Sequence, residues 1–245
     1  MIQILVPMAG ESSRFIAKGY IPKPFLPLID GKSIIEIIEE HLRFLANKDN
    51  INAQISFLIK SDYLNNAVYR SVLANLTSQI YKVSTPNKGP LCTVAQIINN
   101  FNDNDSLIIY DCDQLSLFSM QQLASIDRGV IVTHTSKNNE MSYIGRNLFG
   151  KIDRIAEKER ISEEASCGVY YFPSIRLFKD AALYDFSHNN SLNDEFRIAN
   201  LYNYLIKKNI PIDSYKAGAY FNLGTPGEYE NFIKNNISFY KAYLI

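Results

Sequence analysis

No charge of either sign prevails in this sequence: 25 lysines and arginines stand against 25 aspartates and glutamates in 245 residues. A balanced chain lacks the basic footprint of a general nucleic-acid binder, although a local basic site for phosphate stays open. Cysteine is scarce. Cys92, Cys112 and Cys167 are odd in number and far apart, and they form no CxxC pair. Neither a disulfide framework nor a zinc site follows from them. His41, His134 and His188 are scattered without ligand spacing, and no role is assigned to them. No apolar run approaches the ~18 residues of a membrane helix. The start has no basic segment, and Pro7 and Gly10 interrupt its short apolar run, so no secretory signal is expected. The expected location is the cytoplasm, with no membrane contact and no nucleic-acid partner. Linkers, internal repeats and low-complexity tracts are missing as well. A chain of this length can form one large α/β domain, and one domain over residues 1–245 with two functional lobes, about 1–130 and about 131–245, is expected.

What is there is an alternation of strand and helix signals. Residues 2–6 form a short β-rich apolar run and read as a buried strand. A polar loop follows over 10–27, where Pro22, Pro24 and Pro27 forbid a helix in the second half. Ser33 and Glu36 have capping-box spacing, and Ile34, Ile37, Ile38 and Leu42 recur at helical intervals, which predicts a helix over 34–46. Strands are expected at 55–59, 80–83 and 107–110, with helices over 62–76 and 93–100. This β-α-β-α-β-α-β order argues for a parallel sheet with right-handed crossovers. Beyond 130, strands at 130–133, 143–145, 151–155 and 168–172 lack long helices between most of them and read as mixed sheet on the same core. Helices are expected over 174–184, 195–207 and 226–242.

Two loops carry chemistry. The first strand feeds Ala9-Gly10-Glu11-Ser12-Ser13-Arg14, and the carboxyl end of a parallel strand is where α/β proteins bind ligands. Small residues let backbone N–H groups approach phosphate oxygens. Arg14 adds a fork of donors, and Lys23, between two prolines, adds a positioned charge. Asp111 and Asp113 end an apolar strand, where carboxylates suit a hard cation holding phosphates.

The sequence Pro7-Met8-Ala9-Gly10 through Arg14-Phe15, followed by Pro22-Lys23-Pro24, resembles the A-G-x-G-S/T-R-F and P-K-P signature of the sugar-phosphate nucleotidyltransferases, also called pyrophosphorylases. The resemblance runs from about residue 3 to about residue 230. It implies an α/β, Rossmann-like, mostly parallel sheet flanked by helices with an added mixed β region (a GT-A-like fold). The first lobe would bind the nucleotide and the second the acceptor. Met8, Ala9, Gly10, Glu11, Ser12, Ser13 and Lys23 would bind the nucleotide, with the Gly10–Arg14 backbone and Arg14 cradling the triphosphate and Lys23 neutralising phosphate charge as the bond to pyrophosphate breaks. Ser12 stands where the family has a second glycine. Either the loop is shifted there, or the hydroxyl makes a contact that glycine cannot. Gly89, Pro90 and Thr93 resemble the family's G-x-A-x-x-V segment along the base and ribose. Cys112-Asp113-Gln114 resembles the N-C-D-Q of a subgroup associated with capsular polysaccharide loci. By that resemblance Asp113 binds Mg²⁺, while Asp111 is extra and supports the nucleotide side. Glu157-Lys158 and Gly168 resemble the family's acceptor segment, with Lys158 on the acceptor's phosphate, and Glu195 belongs to an N-x-E-F segment that would also touch the acceptor. Phe221-Asn222-Leu223-Gly224-Thr225-Pro226 resembles W-x-D-x-G-T-P, so Asn222 replaces a second metal-binding aspartate.

The expected activity joins a nucleoside triphosphate, with CTP favoured, to a phosphorylated small metabolite, a sugar phosphate or a non-sugar phosphate, and releases pyrophosphate, in the synthesis of a capsule or surface polysaccharide precursor. Arg14, Lys23 and Lys158 would be its catalytic charges. A metal-dependent glycosyltransferase using Asp111 and Asp113, or a non-catalytic nucleotide-binding protein of the same fold, are the rival readings. A homo-oligomer stays open.

Overall fold

The apolar runs of the first half become strands buried on both faces, as parallel strands require. All seven residues of Ile2–Met8 are buried, and this strand lies between Ala53–Lys60 and Ser106–Tyr110, parallel to both. Gln79–Val83 continues the parallel set beyond Ala53–Lys60. Side chains alternate between two cores. Ile4, Val6, Phe57 and Ile108 pack with the helix Ile34–Lys48 on one face. Leu5, Leu58, Leu107 and Ile109 pack with the helices Pro90–Ala95, Ile175–Ser187 and Leu201–Lys207 on the other. The computed structural model describes residues 1–84 and 88–243, and all that follows concerns these.

The second half extends the same sheet with mixed strands. Glu164–Phe172 runs antiparallel to Ser106–Tyr110 and to Gly129–Thr135, and Ile212–Lys216 adds in parallel to the latter. Ser142–Arg146 and Ile152–Glu157 form an antiparallel pair joined to Glu164–Phe172. The architecture is thus α/β, with a central, mostly parallel sheet flanked by helices and a mixed β extension. A separate two-stranded ribbon pairs Gln114–Leu117 with Ala219–Asn222, antiparallel.

Several boundaries differ from the sequence reading. The polar loop holds a turn of α-helix, Ser13–Ile16, and a 3₁₀ turn, Lys23–Phe25, despite its prolines; φ of proline suits such a first turn. Residues 62–76 split into the 3₁₀ turn Ser61–Asn65 and the helix Ala67–Ala74, where the Asn66 side chain caps the N–H groups of Val68 and Tyr69. The helix expected at 93–100 starts at Pro90, whose missing N–H costs nothing at a helix start, and stops at Ala95. The helix expected at 195–207 begins only at Leu201, because residues 195–196 spend their backbone groups elsewhere. Phe196 N–H donates to Lys88 C=O (2.7 Å), and Phe196 C=O accepts from Leu91 N–H (3.2 Å). The last helix is interrupted by a π-helical stretch, Phe232–Asn236. The capping box at Ser33 and Glu36 is present as expected.

His41 lies wholly inside the core, its Nε2–H donating to Ser116 C=O (2.8 Å) and its Nδ1 accepting from the Tyr240 hydroxyl (3.0 Å). Burial outweighs the favourable Ser116 contact and pulls its pKa down to about 4. The folded state therefore binds fewer protons than the unfolded state between pH 6.5 and 4. Stability from this group is complete above about 6.5 and is lost as pH falls through that window. Chemical denaturation at pH 7.5 and pH 5 should show wild type losing roughly 2 kcal/mol more than His41→Gln. Equal losses would remove His41 as the cause.

Candidate active site

The phosphate-loop candidate is fixed by one unusual residue. Ser12 adopts φ 53° and ψ 25°, the left-handed conformation a glycine would take freely. Its Oγ accepts the backbone N–H of Lys23 at 3.1 Å. Of the two alternatives for this position the second is met: the backbone takes the left-handed conformation of a glycine, and the hydroxyl makes a contact glycine cannot. That bond ties the Gly10–Arg14 segment to the Lys23 turn. Phe15, buried, packs edge-on against Tyr20 and Tyr229 and anchors the loop from below. Glu11 is not turned to the cleft alone, since its carboxylate pairs with Lys60 at the end of Ala53–Lys60. Lys60 was not anticipated; it is the one charge of its strand and ends the run Phe57-Leu58-Ile59.

Lys23 Nζ meets Asp113 Oδ2 at 3.0 Å. Burial works against the Lys23 charge, but the Asp113 carboxylate outweighs it and holds the lysine above its ordinary pKa. Asp113 is held down in turn: burial opposes its charge, and Lys23 overcomes that. Asp111, under the same burial and beside the Asp113 charge, is pushed up to about 8. Its backbone N–H donates to Gly168 C=O (2.8 Å). Gly168 has φ 79°, and a methyl there would lie 2.7 Å from Asp111 Oδ2. Gly168 thus gives Asp111 room to sit over the strand.

The ribbon explains why Asp113 and Asn222 are neighbours. Asn222 is registered opposite Gln114, and Leu223 N–H donates to Asp113 C=O at 2.7 Å. A methyl on Gly224 would lie 3.0 Å from Asn222 Oδ1, 3.4 Å from Asp113 Oδ2 and 3.6 Å from Glu228 Oε2, so three oxygens face one spot. Among the described residues no group of three or more His, Cys, Asp or Glu side chains is arranged to hold a metal.

At Gly89, φ is 98°, and a methyl would come within 2.7 Å of Phe196 C=O. Only glycine lets the Lys88–Leu91 turn lie against the Phe196 backbone. Thr93 is buried, its hydroxyl donating to Gly89 C=O at 3.3 Å. On the far side, Glu157 ends its strand and accepts from the Ser142 hydroxyl. Lys158 follows at φ 55° and pairs with Glu140 at 3.2 Å.

These residues line two clefts. One, of about 450 Å³, is bounded by Met8 through Phe15, Lys23, Gly89, Pro90, Thr93 and Asp111 through Asp113. The other, of about 600 Å³, is bounded by Glu157, Lys158, Gly168, Tyr220, Asn222 and Glu228. Arg14, Asp111, Asp113, Glu195 and Arg197 line both, so the clefts meet there.

Among solved structures, a nucleoside-diphosphate-sugar pyrophosphorylase from Vibrio cholerae RC9 superposes with a TM-score of 0.76 at 24% identity, covering 95% of this chain and 100% of that one. A UDP-glucose pyrophosphorylase complexed with UDP-glucose gives 0.72 at 16% identity, over 99% and 100%. The inositol-1-phosphate CTP transferase from T. maritima gives 0.66 at 13% identity, over 96% and 97%. The fold is theirs. The chain matches no family model and no curated protein. No helix among the described residues is long and apolar enough to cross a membrane.

The sequence reading missed Arg197 and Glu228. Arg197 pairs with Glu195 and lies 3.7 Å from Glu157, and its Nε is buried without a hydrogen-bond partner among the described residues. A helix through 195–207 would have pointed Glu195 and Arg197 apart, since residues two apart do not face each other on a helix. In the non-helical segment found here they meet. Glu228 had a signal, the capping-box spacing from Thr225, which speaks of a helix start rather than of a site.

Proposed function

We propose that the protein is a nucleotidyltransferase that joins a nucleoside triphosphate to a phosphorylated small metabolite, working as one unit of two lobes. The observation that carries this reading is the meeting of two clefts at Asp111 and Asp113, with Arg14 and Arg197 lining both clefts, Lys23 the first and Lys158 the second. The triphosphate belongs in the cleft of the Gly10–Arg14 segment, where Arg14 and Lys23 face its phosphates. The acceptor belongs in the other cleft, with its phosphate between Lys158 and Arg197. An acceptor phosphate oxygen attacks the α-phosphorus, the bond from that phosphorus to the bridging oxygen breaks, and pyrophosphate leaves. No protein nucleophile is needed. The chain's own work is to position two anions and to lower their repulsion, which is about 4 kcal/mol for unit charges 4 Å apart at an effective dielectric of about 20.

A divalent cation fits the residues present. Asp111 and Asp113 are neighbouring carboxylates, burial and then the Asp113 charge push Asp111 up, and Lys23 pairs with Asp113 at 3.0 Å. Asp113 and Asn222 present hard oxygens to one spot. Mg²⁺ needs only one or two carboxylates when substrate phosphates complete its shell. Bound there, Mg²⁺ would neutralise phosphate charge.

For the base we favour CTP. The cleft wall at Gly89, Pro90 and Thr93 offers backbone and short side chains, which suit a pyrimidine, and one protein of this fold is a CTP transferase. The acceptor is a sugar phosphate or a non-sugar phosphate, and an activated capsule precursor is the product class in keeping with the resemblance of Cys112-Asp113-Gln114. Pyrophosphate release measured with four triphosphates against a set of phosphorylated metabolites tests all of this. Release with CTP and one acceptor is expected. A clear preference for ATP or GTP ends the choice of base. Transfer from a nucleotide-sugar with no pyrophosphate formed would make the protein a glycosyltransferase instead.

A further inference from the structure

Asn222 cannot set its own orientation. An amide presents an acceptor at one end and a two-proton donor at the other, nearly equal in size, so its neighbours decide which end faces where. Here the neighbour is Glu228. Asn222 Nδ2 donates to Glu228 Oε1 at 2.7 Å, and Asn222 Oδ1 accepts Gly224 N–H at 2.9 Å. A carboxylate only accepts, so it takes the NH₂ end and leaves the oxygen turned toward the spot that Asp113 Oδ2 also faces. Glu228 is itself held. Its Oε2 accepts from the Thr225 hydroxyl at 2.8 Å, and its N–H donates back to Thr225 Oγ1 at 3.3 Å, at the start of the helix Pro226–Asn231. The same Oε2 lies 3.6 Å from the point at Gly224 around which the other two oxygens gather.

We propose that Glu228 is a positioning residue for the cation site: it fixes the Asn222 amide with its oxygen toward Asp113 and supplies, through that hydrogen bond, the negative charge that an asparagine lacks. The inference rests on the proposed nucleotidyl transfer. A carboxylate accepting from the amide N–H polarises the amide toward its oxygen and makes that oxygen a better ligand for a divalent ion. Asn222 and Glu228 then act together as one anionic unit, with the charge held one residue back from the ion.

The test reverses the two groups. Glu228→Gln removes the charge and offers an NH₂ group of its own, which lets the Asn222 amide turn its donor end into the site. The double variant Asn222→Asp/Glu228→Gln returns one carboxylate to the pair, now at position 222, with the glutamine amide donating to it. Mn²⁺ uptake is followed by loss of the free-ion electron paramagnetic resonance signal, with α,β-methylene CTP bound, and melting temperatures are recorded alongside. Glu228→Gln should weaken Mn²⁺ binding roughly 10-fold, the lower end of the range seen when a group orienting a metal ligand is lost. The double variant should recover most of that loss while melting like Glu228→Gln. Unchanged affinity in Glu228→Gln overturns the inference, and so does a double variant that binds no better than Glu228→Gln. Wild-type protein that takes up neither the analogue nor Mn²⁺ overturns the proposed function, and the inference falls with it.

Discussion

Lys23→Ala should lower turnover by roughly 10²- to 10³-fold, the range for removing one preorganised electrostatic group from a reacting centre. Lys23 is well placed for so large an effect. It is only 14% exposed, its backbone is pinned by Ser12 Oγ, and its ammonium sits on Asp113. Its removal takes a charge from the cleft proposed for the triphosphate and also leaves Asp113 without the cation that pairs with it. Lys158 lines the other cleft and not the one proposed for the triphosphate. Its loss should fall on the acceptor. Lys158→Asn is the better variant, because asparagine tolerates the φ of 55° that position 158 holds and alanine does not. Steady-state kinetics with both substrates varied should show Lys23→Ala impairing mainly kcat and use of the triphosphate. Lys158→Asn should mainly raise KM for the acceptor, roughly 10-fold or more, as for loss of a hydrogen bond to a charged group. If each variant harms both substrates equally, the division of labour between the two lysines is wrong.

Lys23 stood out in the sequence for the two prolines around it, and Lys158 through the resemblance of Glu157-Lys158 to the family's acceptor segment. The parallel half of the sheet was legible too. Buried parallel strands need continuous apolar runs, and residues 2–6, 55–59 and 107–110 supply them within a residue or two of the observed strands. What the sequence hid was pairing at long range. Gln114–Leu117 and Ala219–Asn222 are four residues each, too short to announce themselves, and their partner is a hundred residues away. Yet that ribbon puts Asn222 beside Asp113. The segment before Leu201 was misread for the same cause. Hydrogen bonds to the Lys88–Leu91 turn claim the Phe196 backbone first, and with them Arg197 comes against Glu195. Local propensity is a weak prior against such tertiary contacts.

Asp113→Asn should cost far more than any change at Asn222, on the order of 10²-fold or more in activity. Three observations set the order. Asp113 Oδ2 is the oxygen shared by Lys23 and by the spot that Asn222 and Glu228 also face. An amide at 113 keeps the shape but removes a carboxylate on that spot that Lys23 holds charged. Asn222→Ala removes a neutral oxygen and leaves Glu228 Oε1 without its amide partner, a loss of about 10-fold by comparison with other groups around metal sites. Asp111→Asn should fall between the two. It keeps the packing under Gly168 and relieves the crowding of like charge, but it takes a carboxylate from the junction of the clefts. Activity of the three variants at varied Mg²⁺ decides the arrangement. Asp113→Asn should need much more Mg²⁺ for half-maximal rate, because the ion loses charge attraction that substrate phosphates only partly replace. An Asn222→Ala variant as damaged as Asp113→Asn, or an unchanged Mg²⁺ requirement in Asp113→Asn, would move the cation away from Asp113 and leave that residue as the counter-ion of Lys23 alone.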